Sequence, residues 1–170
     1  LVPTAHYDRG YHPTATTGVM AAAAAAGQIL GLDADGIESA LGIALSQAAG
    51  SMQFLADGAW TKRSHVGQAA QNGLTCATLA AEGFKGPKEA IEGKWGFLHS
   101  LSPKADLDKA AANLGDYWET MALGVKPYPS CRYTHAAMDA IRQLADEHGI
   151  AADDVDSATI GVPETGWKIA

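Results

Sequence analysis

The sequence is poor in the features that define several large classes of protein. Only 2 of its 170 residues are cysteine, too few for a disulfide framework, so we expect a cytoplasmic protein. Basic side chains number 12 against 19 acidic ones. The resulting net charge of -7 disfavours nucleic acid and anionic membrane surfaces as partners. No charged-then-apolar signal peptide opens the chain.

Motifs for metals, nucleotides and membrane spans are also missing. The sequence contains no HxxxH or CxxC, so we expect no metal site, and it contains no GxGxxG or P-loop for a nucleotide. The most apolar stretch, residues 19–32, is mostly alanine and is interrupted by glycine and glutamine. It falls short of the roughly 20 strongly apolar residues that cross a bilayer. A tightly packed helix is the better interpretation.

Apolar residues make up 47% of the chain, enough for a compact core, and over the first two thirds they repeat at the helical period. The pattern predicts helices at residues 14–31, 35–48, 66–84, 88–92 and 104–114. Asp35 and Glu38 have the spacing of a capping box for the second helix.

The pattern changes towards the end of the chain. Residues 121–128 and 155–162 are interpreted as strands on either side of a helix at 134–148. We therefore expect a mainly α fold with a domain boundary near residue 118. Residues 1–117 would be part of a helical main domain, and residues 118–170 would begin a smaller α/β domain with β-α-β order.

Three polar-aromatic stretches, residues 8–14, 60–65 and 126–135, fit no amphipathic pattern. Each carries Lys or Arg plus His and precedes a predicted helix. The first turn of a helix offers unpaired backbone N–H groups and the positive end of the dipole, which attract anions. Three such helix starts meeting in one cleft would bind a small polycarboxylate.

Such a cleft suits proton removal from carbon beside a carboxylate, since cations stabilise the developing charge and histidine moves the proton. Loss of water or of carbon dioxide could follow. More ordinary interpretations exist for each stretch. His12 and His65 could be packing or capping residues, and Lys62 and Arg63 could be solvated charges. His135 and Asp139, one helical turn apart, could form an ordinary surface pair.

The three stretches resemble segments of the MmgE/PrpD family. Residues 10–14 are similar to its G-[FY]-H-P-T segment. Residues 60–73 are similar to its K-x-x-H-x-G-x-A-A-x-x-G segment, and residues 126–135 to its K-x-[YF]-P…H segment. Order and spacing also fit, and the similarity covers essentially the whole chain.

The resemblance implies a helical main domain, an α/β lid domain and an active site between them, in a homodimer that needs no metal or organic cofactor. His12, Lys62 and Lys126 match the active-site histidine and two lysines of the decarboxylase branch. The lysines would hold substrate carboxylates, and His12 would transfer a proton or orient the substrate. Four further residues are substrate-binding candidates: Arg63, His65, Tyr128 and His135.

The leading functional expectation is a lyase that dehydrates 2-methylcitrate or a similar small polycarboxylate. The alternatives are decarboxylation of cis-aconitate, epimerisation or isomerisation of a dicarboxylate, and an inactive helical scaffold. The family's upstream aspartate, threonine and histidine have no counterpart here, and its later lid residues are missing. Both ends of the chain look like cuts through a longer protein, so we expect an incomplete site.

Overall fold

The computed structural model describes residues 3–102 and 105–169. The chain divides into two compact units, Leu1–Asn113 and Leu114–Ala170, a few residues before the boundary expected near residue 118. The start of the helix expected at 104–114 lies outside the described residues. The assignment of the second unit to a lid domain stays a prediction.

Helices form the first unit. In chain order they are α1 (Pro3–Asp8), α2 (Pro13–Ile29), α3 (Ala34–Leu45), α4 (Phe54–Asp57), α5 (Thr61–Ala81), α6 (Phe97–Leu101) and α7 (Leu107–Ala111). The second unit contains α8 (His135–His148) and α9 (Glu164–Ile169), with 3-10 turns at Glu119–Ala122, Arg132–Thr134 and Ala152–Asp154. The mainly α prediction is confirmed.

The core of the first unit lies where α2, α3 and α5 pack against one another. The helices approach closely because small residues line their contact. Ala23 of α2 and Ala77 of α5 are fully buried. A Cβ atom at Gly73 would lie 2.4 Å from the Cβ of Ala22, so glycine is required at this crossing.

Three predicted details of the first unit are wrong. Asp33, not Asp35, caps α3, and its side chain accepts a hydrogen bond from the N–H of Gly36 at 2.9 Å. Helix α5 begins at Thr61 rather than Val66. The apolar pattern did not indicate this earlier start, because residues 61–64 are exposed and show no apolar repeat. The helix expected at 88–92 does not form, since these residues are turns, a bend and irregular backbone.

The two strands expected in the second unit do not form. Residues 119–122 are a 3-10 turn, and residues 155–162 are irregular. A strand needs a neighbour for its backbone groups. Over the described residues, the β pairing consists of one isolated bridge, between Tyr11 and Ser51. The helix expected at 134–148 is confirmed as α8.

None of the helices in the described part of the chain is both long enough and apolar enough to cross a bilayer.

Candidate active site

His12 is held at the start of α2 by the loop that follows α3. Its backbone N–H donates to the carbonyl of Gly50 at 2.9 Å, and the N–H of Met52 donates back to the carbonyl of Gly10 at 2.8 Å. Pro13 at the first helical position fixes the backbone direction. Gly50 has φ +140°, and a Cβ there would lie 2.4 Å from the Cβ of Ala15. Glycine is therefore needed where the two segments meet.

His65 meets His12 from the first turns of α5. It is only 6% exposed, and its Nδ1 lies 3.0 Å from the Nδ1 of His12. Phe54 of α4 presents its ring edge-on to both imidazoles, with centroid distances of 5.9 Å to His12 and 5.7 Å to His65. The result is a partly buried histidine pair against an aromatic wall.

Lys62 stands next to this pair, with Nζ 5.7 Å from the centre of the Phe54 ring. Its side chain is exposed. In the part of the chain that the structure describes, Lys62 takes part in neither of the ion pairs Lys88–Glu38 and Lys109–Asp106. We call His12, Phe54, Lys62 and His65 the histidine cluster.

Helix α5 begins with charges of the wrong sign for its dipole. Trp60 is the N-cap, so Lys62 and Arg63 occupy the second and third helical positions, and the first turn contains no acidic residue. A cation near the N-terminus of a helix is unfavourable, whereas an anion is stabilised there. The guanidinium of Arg63 stacks 5.2 Å from the centre of the Trp60 ring. This end of α5 therefore favours an anion.

The environment lowers the pKa of His12. Burial contributes most, followed by the positive charges of His65 and then Lys62. The neutral imidazole is favoured, and the protonated form is a stronger acid than an ordinary imidazolium. Both properties suit a group that exchanges protons with carbon acids.

Lys126, Tyr128 and His135 lie in the second unit. Nζ of Lys126 donates to the carbonyl of Ser130 at 3.3 Å. The hydroxyl of Tyr128 donates to Oδ1 of Asp139 at 2.6 Å and accepts from Nη1 of Arg142 at 3.1 Å. The hydrogen bond to Tyr128 is the largest of the effects that raise the pKa of Arg142. These contacts tie the loop that carries Lys126 to α8.

His135 is fully buried at the first position of α8. The Tyr128 ring packs edge-on against it at 5.2 Å, and its Nε2 lies 3.4 Å from the carbonyl of Ser130. Its Nδ1 is buried without a hydrogen-bond partner in the structure. The surface pair of His135 with Asp139 is not formed, because Asp139 bonds Tyr128 instead. His135 therefore packs beneath the Lys126 loop.

The structure thus brings three of the predicted residues, His12, Lys62 and His65, into one cluster. The union of this cluster with Lys126 stays a prediction, as do the roles of all the site residues. Phe54, which contacts both imidazoles, was not predicted, and neither were the contacts that Asp139 and Arg142 make with Tyr128 in the second unit. Asp139 and Arg142 follow His135 at helical spacing on α8, which was a usable signal, whereas Phe54 lies in a segment without periodicity.

Among the residues that the structure describes, no group of three or more His, Cys, Asp or Glu side chains is arranged to hold a metal ion. The chemistry available in the histidine cluster is proton transfer by imidazole and charge stabilisation by an ammonium group. An alanine-rich helical unit with such a cluster has the features of an acid–base enzyme domain for an anionic substrate.

Comparison with known families agrees with this class. Residues 1–110 match the MmgE/PrpD N-terminal domain. This match covers more than half of the chain, and the chain therefore belongs to the MmgE/PrpD family.

Several relatives are named cis-aconitate decarboxylase. The protein of that name from Aspergillus terreus is 36% identical over 144 residues, which is 81% of this chain and 29% of the relative. The human protein is 32% identical over 76% of this chain and 27% of its own length. The mouse protein is 31% identical over 92% of this chain and 33% of its own length. The chain thus spans about a third or less of these relatives.

Proposed function

We propose that this chain supplies part of the active site of a lyase that removes carbon dioxide from a small polycarboxylate of the cis-aconitate type. The observation that carries the proposal is the His12–His65 contact at 3.0 Å beside Lys62. Similarity to proteins named cis-aconitate decarboxylase supports this alternative over 2-methylcitrate dehydration, the leading expectation from the sequence. Dehydration stays a prediction that the experiment below can test.

In the proposed reaction Lys62 binds a substrate carboxylate at the start of α5. The ammonium group and the free N–H groups of the first helical turn hold the negative charge together. The bond between carbon and the departing carboxylate breaks, carbon dioxide leaves, and the electron pair stays on the substrate. A remaining carboxylate conjugated to that carbon spreads the charge, which Lys62 stabilises.

His12 completes the reaction by giving a proton to carbon. Because the pKa of His12 is lowered, its protonated form gives up the proton readily. The same imidazole can remove a proton from carbon in a dehydration or an isomerisation. Lys126 is proposed to bind a second carboxylate, and the full-length protein is proposed to act as a homodimer.

The reaction class can be decided with the full-length protein in deuterated water. Cis-aconitate, 2-methylcitrate and citrate are supplied separately and followed by proton NMR. Release of carbon dioxide with deuterium on the product carbon supports the proposal. Loss of water from 2-methylcitrate would replace it with dehydration, and deuterium uptake without loss of a group would replace it with isomerisation. No reaction of any kind would favour the inactive scaffold.

Lys62→Ala tests the site itself. Loss of one preorganised charge-stabilising group typically costs about a hundredfold or more in kcat, so we expect a loss of that order. The matched control is Lys85→Ala, since Lys85 is also exposed but lies outside the histidine cluster. A Lys62→Ala enzyme with the kinetics of the Lys85→Ala control would remove Lys62 from the active site.

A further inference from the structure

A cavity of about 80 Å³ lies beside the histidine cluster, on the His65 side. Three amide side chains line it together with His65, namely Gln47, Gln68 and Asn72. Its other walls are Ala15, Ala49, Gly50 and Ala69. Two residues that contact His12 therefore line this cavity. The carbonyl of Gly50 accepts a hydrogen bond from the backbone N–H of His12, and the imidazole of His65 lies against the His12 imidazole.

The contact between the two imidazoles restricts their protons. Two Nδ1 atoms at 3.0 Å can hold only one hydrogen between them, because two N–H groups would repel each other. At most one ring of the pair is therefore positively charged while this contact persists. Which ring carries the shared proton depends on the hydrogen bond made by the other nitrogen of each ring.

Although His65 is buried as a residue, its Nε2 is not among the described buried nitrogens that lack a partner, so this atom is in contact with solvent. Among the described residues, no protein hydrogen bond to Nε2 of His65 accompanies the Nδ1 contact. A volume of about 80 Å³ has room for two or three water molecules at roughly 30 Å³ each. The amides can both donate to and accept from such waters.

We propose that this cavity is a water site that hydrogen-bonds His65 and thereby sets which nitrogen of His12 carries the proton towards the substrate. His65 is then a positioning residue for His12 rather than a ligand of the substrate. Water fits better than a substrate carboxylate, because none of the described residues that line the cavity is a lysine or arginine that could balance a negative charge. The inference rests on the proposed role of His12 in proton transfer.

The test variant is Asn72→Leu, which keeps a similar volume but removes the amide. The control is Gln71→Leu, since Gln71 is the neighbouring exposed amide and does not line the cavity. In the full-length protein, ¹⁵N NMR reports the tautomers of His12 and His65 without substrate, and steady-state kinetics with cis-aconitate separates kcat from KM. Gln68→Leu, at an exposed position of the same wall, serves if Asn72→Leu does not fold.

We expect Asn72→Leu to change the tautomer populations of the pair and to lower kcat by about fivefold, the effect of one hydrogen bond, with KM within about twofold. Gln71→Leu should match the wild type in both measurements. Wild-type tautomers in Asn72→Leu would overturn the inference. So would a large rise in KM with kcat unchanged, which would make the cavity a carboxylate site. A wild-type protein inactive on every substrate would refute the proposed function alone, since the NMR result still decides the water site.

Discussion

Gly73 and Gly67 of α5 offer a test of the helix packing that supports the site. Both positions are inside the same helix, so replacing glycine by alanine gains about 0.8–1 kcal/mol of helix propensity at each. At Gly67 a Cβ would meet nothing within 4 Å. At Gly73 it would lie 2.4 Å from the Cβ of Ala22 and 2.7 Å from the backbone nitrogen of Ala23. Only the second variant therefore forces α2 and α5 apart.

The difference between the two variants isolates the packing cost, because the propensity gain cancels. Overpacking of a close contact typically costs about 1–3 kcal/mol, so Gly67→Ala should exceed Gly73→Ala in stability by that amount. Urea unfolding of the full-length proteins measures it. With a slope of about 1–3 kcal/mol/M, the midpoints should differ by about 1 M. Equal midpoints, or a more stable Gly73→Ala, would refute the close approach of α2 and α5.

Two further predictions concern charges. Lys62→Ala should raise the pKa of His12 towards its ordinary value, because one of the positive charges that disfavour the imidazolium is lost. A histidine NMR titration measures this shift without any substrate. Asp139→Asn should lower the free energy of unfolding by about 0.5–1 kcal/mol, because the carboxylate accepts the Tyr128 hydroxyl at 2.6 Å at an exposed position. Urea unfolding measures this change in the free energy of unfolding.

Neighbouring residues provide the controls. Arg63→Ala should leave the pKa of His12 in place, since Arg63 stacks on Trp60 and is not among the causes of the shift. Asp146→Asn, on the same helix as Asp139 but without a hydrogen bond to Tyr128, should leave stability near the wild-type value. Equal effects from test and control variants would mean that general electrostatics, rather than these contacts, is responsible.

The sign of the pH dependence follows from the direction of the His12 shift. A lowered pKa means that the unfolded chain binds this proton more readily than the folded one. The contribution of His12 to stability is therefore complete above the ordinary histidine pKa. It is lost as the pH falls from that value through the lowered one. Lys62→Ala narrows the pH range over which this stability is lost, because it brings the pKa of His12 in the folded protein closer to the ordinary histidine pKa.

The sequence predicted helices well where apolar residues repeat. Helices α2, α3 and α8 lie close to their expected bounds because apolar residues repeat at the helical period in their sequences. The first turn of α5 was missed because its inward-facing residue, His65, is polar and residues 61–64 are exposed. The two strands expected in the second unit are the opposite error, because there the pattern predicted elements that do not form. Weak alternation indicates a strand only where a neighbouring strand can accept its hydrogen bonds.

The contacts of the site were harder to predict than its residues. Spacing along the chain placed His12 and Lys62 at helix starts, but His12 and His65 are 53 positions apart. Their contact depends on the hydrogen bond from His12 to Gly50 and on the close packing of α2 against α5. Neither leaves a periodic pattern. Phe54 was missed for the same reason, since a single aromatic residue in a glycine-rich segment has no repeat.

The histidine cluster gathers positive charge in a protein whose net charge is -7. His65 and Lys62 disfavour the charged form of His12, and the first turn of α5 has no acidic residue to compensate. A purely structural role would be served better by neutral side chains at these positions, because burial next to like charges is unfavourable. A bound polycarboxylate would reverse this balance by stabilising Lys62 and the protonated His12 together. This electrostatic arrangement supports the proposal that the cluster binds and protonates an anionic substrate.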